Sequence, residues 1–285
     1  FMGMTESPVL IKNYLPTMNR SEIFLVMVSG MGTIAGSVMG TYIGMLGGTD
    51  PAAKVLFATH LLSASVMAVP GSIVLAKMLC PQTEEATDHV AISGKEKENS
   101  NILDAISSGT VTGVKLMTNI AAMLLVFISL VALANYITEG VIGRYTGLND
   151  WIVKITDGKA QGLTFQFILG VITSPFMWLI GVPSQDIMLV GSLLGQKTIL
   201  NEFVAYFQLQ QWKDAGLFMY EKSILMSTYI LCGFANISSI GILLGGLGVL
   251  APEKRGLISR IGVPAMIGGA LVSVLSATII GMILG

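Results

Sequence analysis

What this 285-residue chain lacks most is charge. Lysine, arginine, aspartate and glutamate make up 12% of it, about half the roughly 25% usual in soluble domains. A soluble fold of this length needs a larger charged surface, so the composition excludes one. A hydrophobic share of 53% and a mean hydropathy of +0.74 fit an integral membrane protein instead. The net charge is −1, which excludes both a nucleic-acid footprint and an acidic tail. Cysteine is scarce. Cys80 and Cys232 stand far apart in apolar runs, so neither a disulfide framework nor a thiolate metal site is expected. Of the two histidines, His60 stands alone in an apolar run and His89 has no ligand set around it. With no GxSxG and no Ser/Lys constellation in the spans, an intramembrane enzyme is disfavoured. A signal peptide is also missing: the chain opens at Phe1 already inside a motif, and is read as a piece of a longer protein.

What is present is a set of long uncharged runs. Residues 23–49, 55–76, 116–138, 223–252 and 261–285 each exceed the roughly 20 residues needed to cross a bilayer. These predict five spanning helices. Two shorter runs, 187–196 and 203–212, flank a polar tip of Lys197, Thr198, Asn201 and Glu202. Ten helical residues rise only about 15 Å, so this pair predicts a re-entrant hairpin, with a single poorly hydrophobic span as the alternative. Run 160–185 either spans or lies in the interface. Segment 81–101 has the composition of a solvated linker, and 139–162 reads as amphipathic and interfacial, with Trp151 suited to the headgroup level.

One pattern occurs twice. Glu6 is followed by a polar interval holding Arg20-Ser21-Glu22, then an uncharged span with Gly32-Thr33-Ile34-Ala35-Gly36, then Asp50-Pro51. Glu202 is followed by Tyr220-Glu221-Lys222, a span with Cys232-Gly233-Phe234-Ala235-Asn236, then Ala251-Pro252. One more apolar helix follows each copy. Twofold internal similarity of this kind marks a transporter. A count of basic residues leans toward Lys12, Arg20, Lys77, Lys95, Lys97, Lys254, Arg255 and Arg260 being cytoplasmic.

Polar groups at membrane depth point to the site. Gly32, Gly36, Gly40 and Gly44 form overlapping GxxxG steps, expected as one flat, closely packed helix face. Thr33 and Ser37 sit near mid-span, where carbonyls loosened by glycine suit a cation. Asn236, Ser238 and Ser239 hold the matching place in the second copy, and an amide in hydrocarbon needs partners. Glu6 and Glu202 carry most weight. Each is costly at membrane depth, and their matched positions suggest one shared polar cavity. Carboxylates accept hydrogen bonds from adjacent hydroxyls such as those of a sugar, while Phe234 offers a ring to a flat ligand.

At these residues the chain resembles the concentrative nucleoside transporters. The resemblance rests on Gly3-Met4-Thr5-Glu6-Ser7-Pro8, Gly181-Val182-Pro183-Ser184, Asn201-Glu202-Phe203-Val204-Ala205-Tyr206, Cys232 through Ser239, and Gly245-Gly246-Leu247-Gly248. It implies an all-α polytopic membrane protein with inverted repeats, re-entrant hairpins and broken transmembrane helices. It also implies a homotrimer in the cytoplasmic (plasma) membrane, with lipid and nucleoside as partners and no nucleic acid. Residues 1–102 would hold the second arm of the first hairpin, two transmembrane helices and a polar loop. Residues 103–162 would hold a scaffold helix and the interfacial segment, and 163–285 the second hairpin with two more helices. Inversion then requires that 160–185 not span.

The resemblance places ribose at Glu202, Asn236 and Ser239, and the base at Met4, Thr5, Glu6, Val38 and Phe234. A sodium site in sodium-coupled members maps onto the Thr33 hydroxyl and the carbonyls of Met2 and Ile34, together with an asparagine just upstream of Phe1. The implied function is uptake of nucleosides coupled to sodium or protons by alternating access, with no other cofactor. A carrier for another small polar solute, or a channel, is the alternative. Met4 stands where the family usually has glutamine, so base selectivity does not carry over. The family's first scaffold helices and first hairpin arm have no counterpart in these residues.

Overall fold

The computed structural model describes residues 2–4, 6–12, 14–84, 101–156, 158 and 160–285, and among these every regular element is a helix. Helix α1 (Ser7–Leu10) is a single turn. Asn19 then starts α2 (Arg20–Gly32) with a capping box: its side chain accepts the Glu22 N–H at 3.0 Å, and the Glu22 carboxylate accepts the Asn19 N–H at 2.8 Å. Two donors that the helix start would otherwise orphan are thereby satisfied. After three non-helical residues comes α3 (Gly36–Gly47). Asp50 caps α4 (Pro51–Leu79), and Pro51 takes the first helical position, where its missing N–H costs nothing.

Helix α5 (Ile102–Asn135) runs on through a π-helical stretch, Tyr136–Gly143, into α6 (Arg144–Thr146). Gly147, at φ 73°, turns the chain into α7 (Leu148–Ile155). Then come α8 (Phe165–Leu179), α9 (Ile187–Ile199), α10 (Glu202–Asp214), α11 (Glu221–Leu231), α12 (Ile237–Leu250), a 3-10 turn at Pro252–Lys254, and α13 (Arg255–Ile283).

The chain divides into two compact units, one of Phe1–Val90 with Gln166–Gly285 and one of Ala91–Phe165. The smaller is α5 with its π-helical extension, held to the following turns by Asn149. That side chain donates to the Glu139 carbonyl at 2.9 Å and accepts the Leu163 N–H at 2.9 Å. In the larger unit α13 packs along α2, α4, α11 and α12. The two copies of the repeat exchange partners: α3 of the first lies against α10 of the second, and α12 of the second against α1 of the first. Two apolar cores result. One gathers Ile34, Tyr42, Leu193, Tyr206 and Ile230, the other Met4, Met27, Met31, Leu243 and Val272, and Phe234 packs on both.

The uncharged runs 23–49 and 223–252 are thus each two helices, interrupted at 33–35 and 232–236. The break also corrects the expected glycine face. Gly32 closes α2 and Gly36 opens α3, so the GxxxG register is lost between them. A Cβ on Gly32 would meet Val272 at 3.2 Å, but one on Gly40 or Gly44 would meet nothing within 4 Å. Helix α8 has 15 residues, a rise of about 22 Å that falls short of the hydrocarbon thickness. Among the described residues three segments are long and apolar enough to cross a membrane: Arg20–Gly47, Pro51–Leu79 and Pro252–Ile283. Most of the polar segment 81–101, with His89, lies outside the described residues.

Candidate functional site

The second helix break builds the site. Helix α11 ends at Leu231, and Gly233 takes φ 137°, a region that side-chain-bearing residues avoid. A Cβ there would also lie 2.9 Å from the Gly32 carbonyl oxygen. Glycine is therefore required on two counts, and the second break rests directly on the backbone of the first.

A break leaves helix-end carbonyls without intrahelical donors. At α11 other side chains supply them. The Tyr206 hydroxyl donates to the Thr228 carbonyl at 2.8 Å, and the Lys197 ammonium to the Ile230 carbonyl at 2.8 Å. The Ser273 hydroxyl donates to the Cys232 carbonyl at 2.7 Å and accepts from Lys197 at 3.0 Å. Lys197 is fully buried.

Asn236 restarts the helix. Its amide oxygen caps α12, accepting the Ser239 N–H at 2.9 Å and the hydroxyls of Ser238 at 2.6 Å and Ser239 at 3.0 Å. Three donors on the oxygen orient the amide. The nitrogen then faces Glu202 and donates to its Oε2 at 2.9 Å. The Ser239 hydroxyl is also within hydrogen-bonding reach of the Phe234 carbonyl. Glu202 opens α10, just after the capping Asn201, so its carboxylate sits at the positive end of the helix dipole. The Tyr42 hydroxyl approaches Oε1 at 3.4 Å, a long and weak contact. Tyr42 is itself stacked on Tyr206, with centroids 4.0 Å apart.

Of the residues singled out in the sequence, Glu202, Asn236, Ser239 and Phe234 thus form one connected group. The first copy is arranged differently. Met4 is buried in the apolar core, facing Gly30 of α2. Val38 packs half-buried on the other core. Glu6 is exposed, its carboxylate folded back against Gly3, so it does not share the enclosure of Glu202. Thr5 lies outside the described residues. Thr33 donates its hydroxyl to the Ser29 carbonyl at 3.0 Å, which leaves its oxygen lone pairs available to a cation. Ile34 is buried beside it and Met2 is exposed.

Some participants, Tyr42, Lys197 and Ser273 among them, were missed in the sequence. Tyr42 looked like one more apolar-run residue, and only its spacing inside a broken span could have flagged it. Lys197 was read as part of a polar tip. In fact α9 extends to Ile199, leaving Leu200 and Asn201 as the whole tip and placing the lysine inside the protein. His60 does have a partner, its Nδ1 standing 3.1 Å from the Tyr229 hydroxyl.

Comparison with known proteins adds an independent line. Residues 60–281 match the family model described as the C-terminus of Na+-dependent nucleoside transporters. The chain is 39% identical to an uncharacterized transporter of Haemophilus influenzae, over 100% of this chain and 64% of that one. It is 38% identical to sodium/nucleoside cotransporter 1 of Rattus norvegicus, over 99% and 42%. Nucleoside permease NupC of Helicobacter pylori is 37% identical, over 100% and 63%. The chain therefore spans less than two thirds of the length of these relatives. Among solved structures, CNTnw in an inward-facing substrate-bound state superposes with a TM-score of 0.83 at 36% identity, over 99% of this chain and 61% of that one.

Proposed function

Because the chain belongs to the family of Na+-dependent, concentrative nucleoside transporters, we propose that it takes up nucleosides across the cytoplasmic membrane, coupled to sodium or protons, by alternating access. The observation that carries this reading is the buried Glu202–Asn236 pair at the second break. An ionised carboxylate offers about four acceptor sites. Asn236 and the Glu202 residue's own backbone N–H take two and the weak Tyr42 contact a third, so one remains and the Tyr42 contact can yield a second to neighbouring hydroxyls. The vicinal diol of a ribose supplies two such donors at the right spacing. Asn236 and Ser239 complete the sugar's surroundings, and Phe234, between the two cores, offers its ring to the base. Met4, Thr5, Glu6 and Val38 are assigned to the base from the first copy.

The coupling cation is assigned to the first break, with the Thr33 hydroxyl and the carbonyls of Met2 and Ile34. The chemistry suits sodium, because a hard cation takes oxygen ligands and helix-end carbonyls are such ligands. We assign the working carrier as a homotrimer.

The test is uptake of labelled uridine, adenosine and inosine into proteoliposomes made with the complete gene product. Uptake is expected to saturate, and to fall when sodium is replaced at fixed pH. Loss instead on collapsing a proton gradient would make the proton the coupling ion. Glu202→Gln is expected to weaken nucleoside binding about tenfold or more, the scale of a hydrogen bond to a charged group. The penalty for a dideoxy analogue, large in the parent, should shrink in that variant. An unchanged penalty would remove Glu202 from the sugar site.

A further inference from the structure

Lys197 has no part in the uptake scheme above, yet it is a costly residue to place. It is fully buried at a helix interruption within the membrane, where a charged side chain is expensive unless partnered. Its two hydrogen bonds go to neutral oxygens, the Ile230 carbonyl at 2.8 Å and the Ser273 hydroxyl at 3.0 Å, and Ser273 in turn serves the Cys232 carbonyl at 2.7 Å. These oxygens belong to or adjoin the frayed end of α11. A positive charge among helix-end carbonyls is also stabilised by the negative end of the dipole. Oxygen ligands gathered around one positive charge are what a monovalent metal ion would ask for, and the Glu202 carboxylate, not bonded to Lys197 but near enough to act on it, helps balance the charge.

The internal repeat gives this a comparison. Counting back five positions from each glutamate, the second copy has Lys197 before Glu202, and the first has Phe1 before Glu6. At the first break the hydroxyl of Thr33 bonds back to its own helix at Ser29. The second copy therefore carries its cation on a side chain, and the first copy has no lysine at that register.

We propose that the Lys197 ammonium is a tethered cation, permanently holding the helix break of the second repeat with a built-in positive charge, where the break of the first is visited by a free coupling ion. The comparison with the first repeat rests on the ion assignment made above. The claim about Lys197 itself rests only on its burial and its oxygen partners. Lys197 is thus a positioning residue: it holds the end of α11, and through it the break that presents Asn236 to Glu202. Carrying a built-in charge at this site also reduces the number of free ions bound per cycle.

Lys197→Ala removes the ammonium and most of the side-chain volume. Lys197→Met removes the charge and keeps the volume. Both are assayed in proteoliposomes by nucleoside uptake, at one low sodium concentration in choline and then with added sodium, potassium, ammonium or methylammonium. Membrane accumulation of each variant is measured alongside, with and without methylammonium in the growth medium. Lys197→Ala is expected to lose about tenfold or more of uptake relative to the parent at the same low sodium concentration, since the Ile230 carbonyl and the Ser273 hydroxyl lose their donor. It should regain at least part of that loss with a small cation, with an apparent cation order one higher than the parent's. Accumulation that depends on methylammonium would support the same reading. Lys197→Met should stay impaired in every cation. Parent-like uptake by Lys197→Met, equal rescue of both variants, or a Lys197→Ala variant restored by no cation would each overturn the proposal. If the parent shows no cation dependence but Lys197→Ala acquires one, the ion assignment at the first break fails and the tethered cation stands. A parent that moves no nucleoside would instead overturn the functional reading.

Discussion

Asn236 does two jobs with the two ends of one amide. Its oxygen caps α12 and its nitrogen meets Glu202. Substitution can separate them. Asn236→Asp keeps an acceptor for the cap but loses the donor and sets a second acid beside Glu202. Its thermal stability in detergent should come within about 1 kcal/mol of the parent only at a pH low enough for the two facing acids to share a proton, because aspartate caps helices as well as asparagine does, while nucleoside uptake collapses. Asn236→Ala loses both and should also be destabilised, by about 1–2 kcal/mol. Equal stability of the two variants at that pH would mean the cap contributes nothing. At this scale much of the site was legible in the sequence. An amide and an acid in uncharged runs must find partners, and here they find each other. Lys197 was not legible, because a charged residue between two short apolar runs looks the same whether it faces water or a helix end. Only the three further residues of α9 bury it. Glu6 went the other way: its match to Glu202 in the repeat suggested a shared enclosure, but its exposure depends on packing that no spacing encodes.

The two breaks govern the behaviour of whole elements. Hydropathy reads each of the two uncharged runs as one span, and only the family resemblance implies broken helices. The first break was hidden, since Thr33 donates to its own helix and the surrounding residues stay apolar, so hydropathy runs through it without a dip. What makes the breaks inseparable is Gly233 lying against the Gly32 carbonyl. Gly233→Ala combines a disfavoured backbone region with a collision against backbone that cannot yield, and should cost about 2–4 kcal/mol. Gly40→Ala, where a methyl meets open space, should be neutral or stabilising by about 0.5–1 kcal/mol, the propensity gain of alanine in a helix. Thermal denaturation of the purified protein compares them. Similar midpoints for both variants would contradict the close approach.

For the whole molecule, four of the basic residues counted for orientation, Arg20, Lys77, Lys254 and Arg260, gather at one end of the larger unit. Arg20, Cys80 and Arg260 line one pocket. Lys77 donates to the Ser21 hydroxyl at 2.9 Å, and Lys254 reaches the Met18 carbonyl at 3.0 Å. If that end is cytoplasmic, as the count of basic residues suggests, Cys80 becomes a reporter of topology. In a Cys232→Ala background, a membrane-impermeant maleimide should label Cys80 in inside-out vesicles and not in intact cells. The reverse pattern would invert the orientation. Cys232, buried at the second break, should resist the reagent from both sides. The membrane class was evident from scarce charge, the helices from the length of the uncharged runs, and the repeat from its paired glutamates. The exchange of partners between the copies was not, because it is a long-range packing choice that neither copy contains by itself.

That exchange, together with the contact between the two breaks, has a consequence for energetics. The ion site assigned to the first break and the sugar site assigned to the second share a wall of backbone, Gly233 against Gly32. With both assignments, filling one site would alter the free energy of filling the other, and such coupling is reciprocal. Whatever factor sodium adds to nucleoside affinity, nucleoside must return to sodium affinity. Under these assignments, the coupling between ion and nucleoside would draw on one glycine having no side chain to hold the two breaks apart.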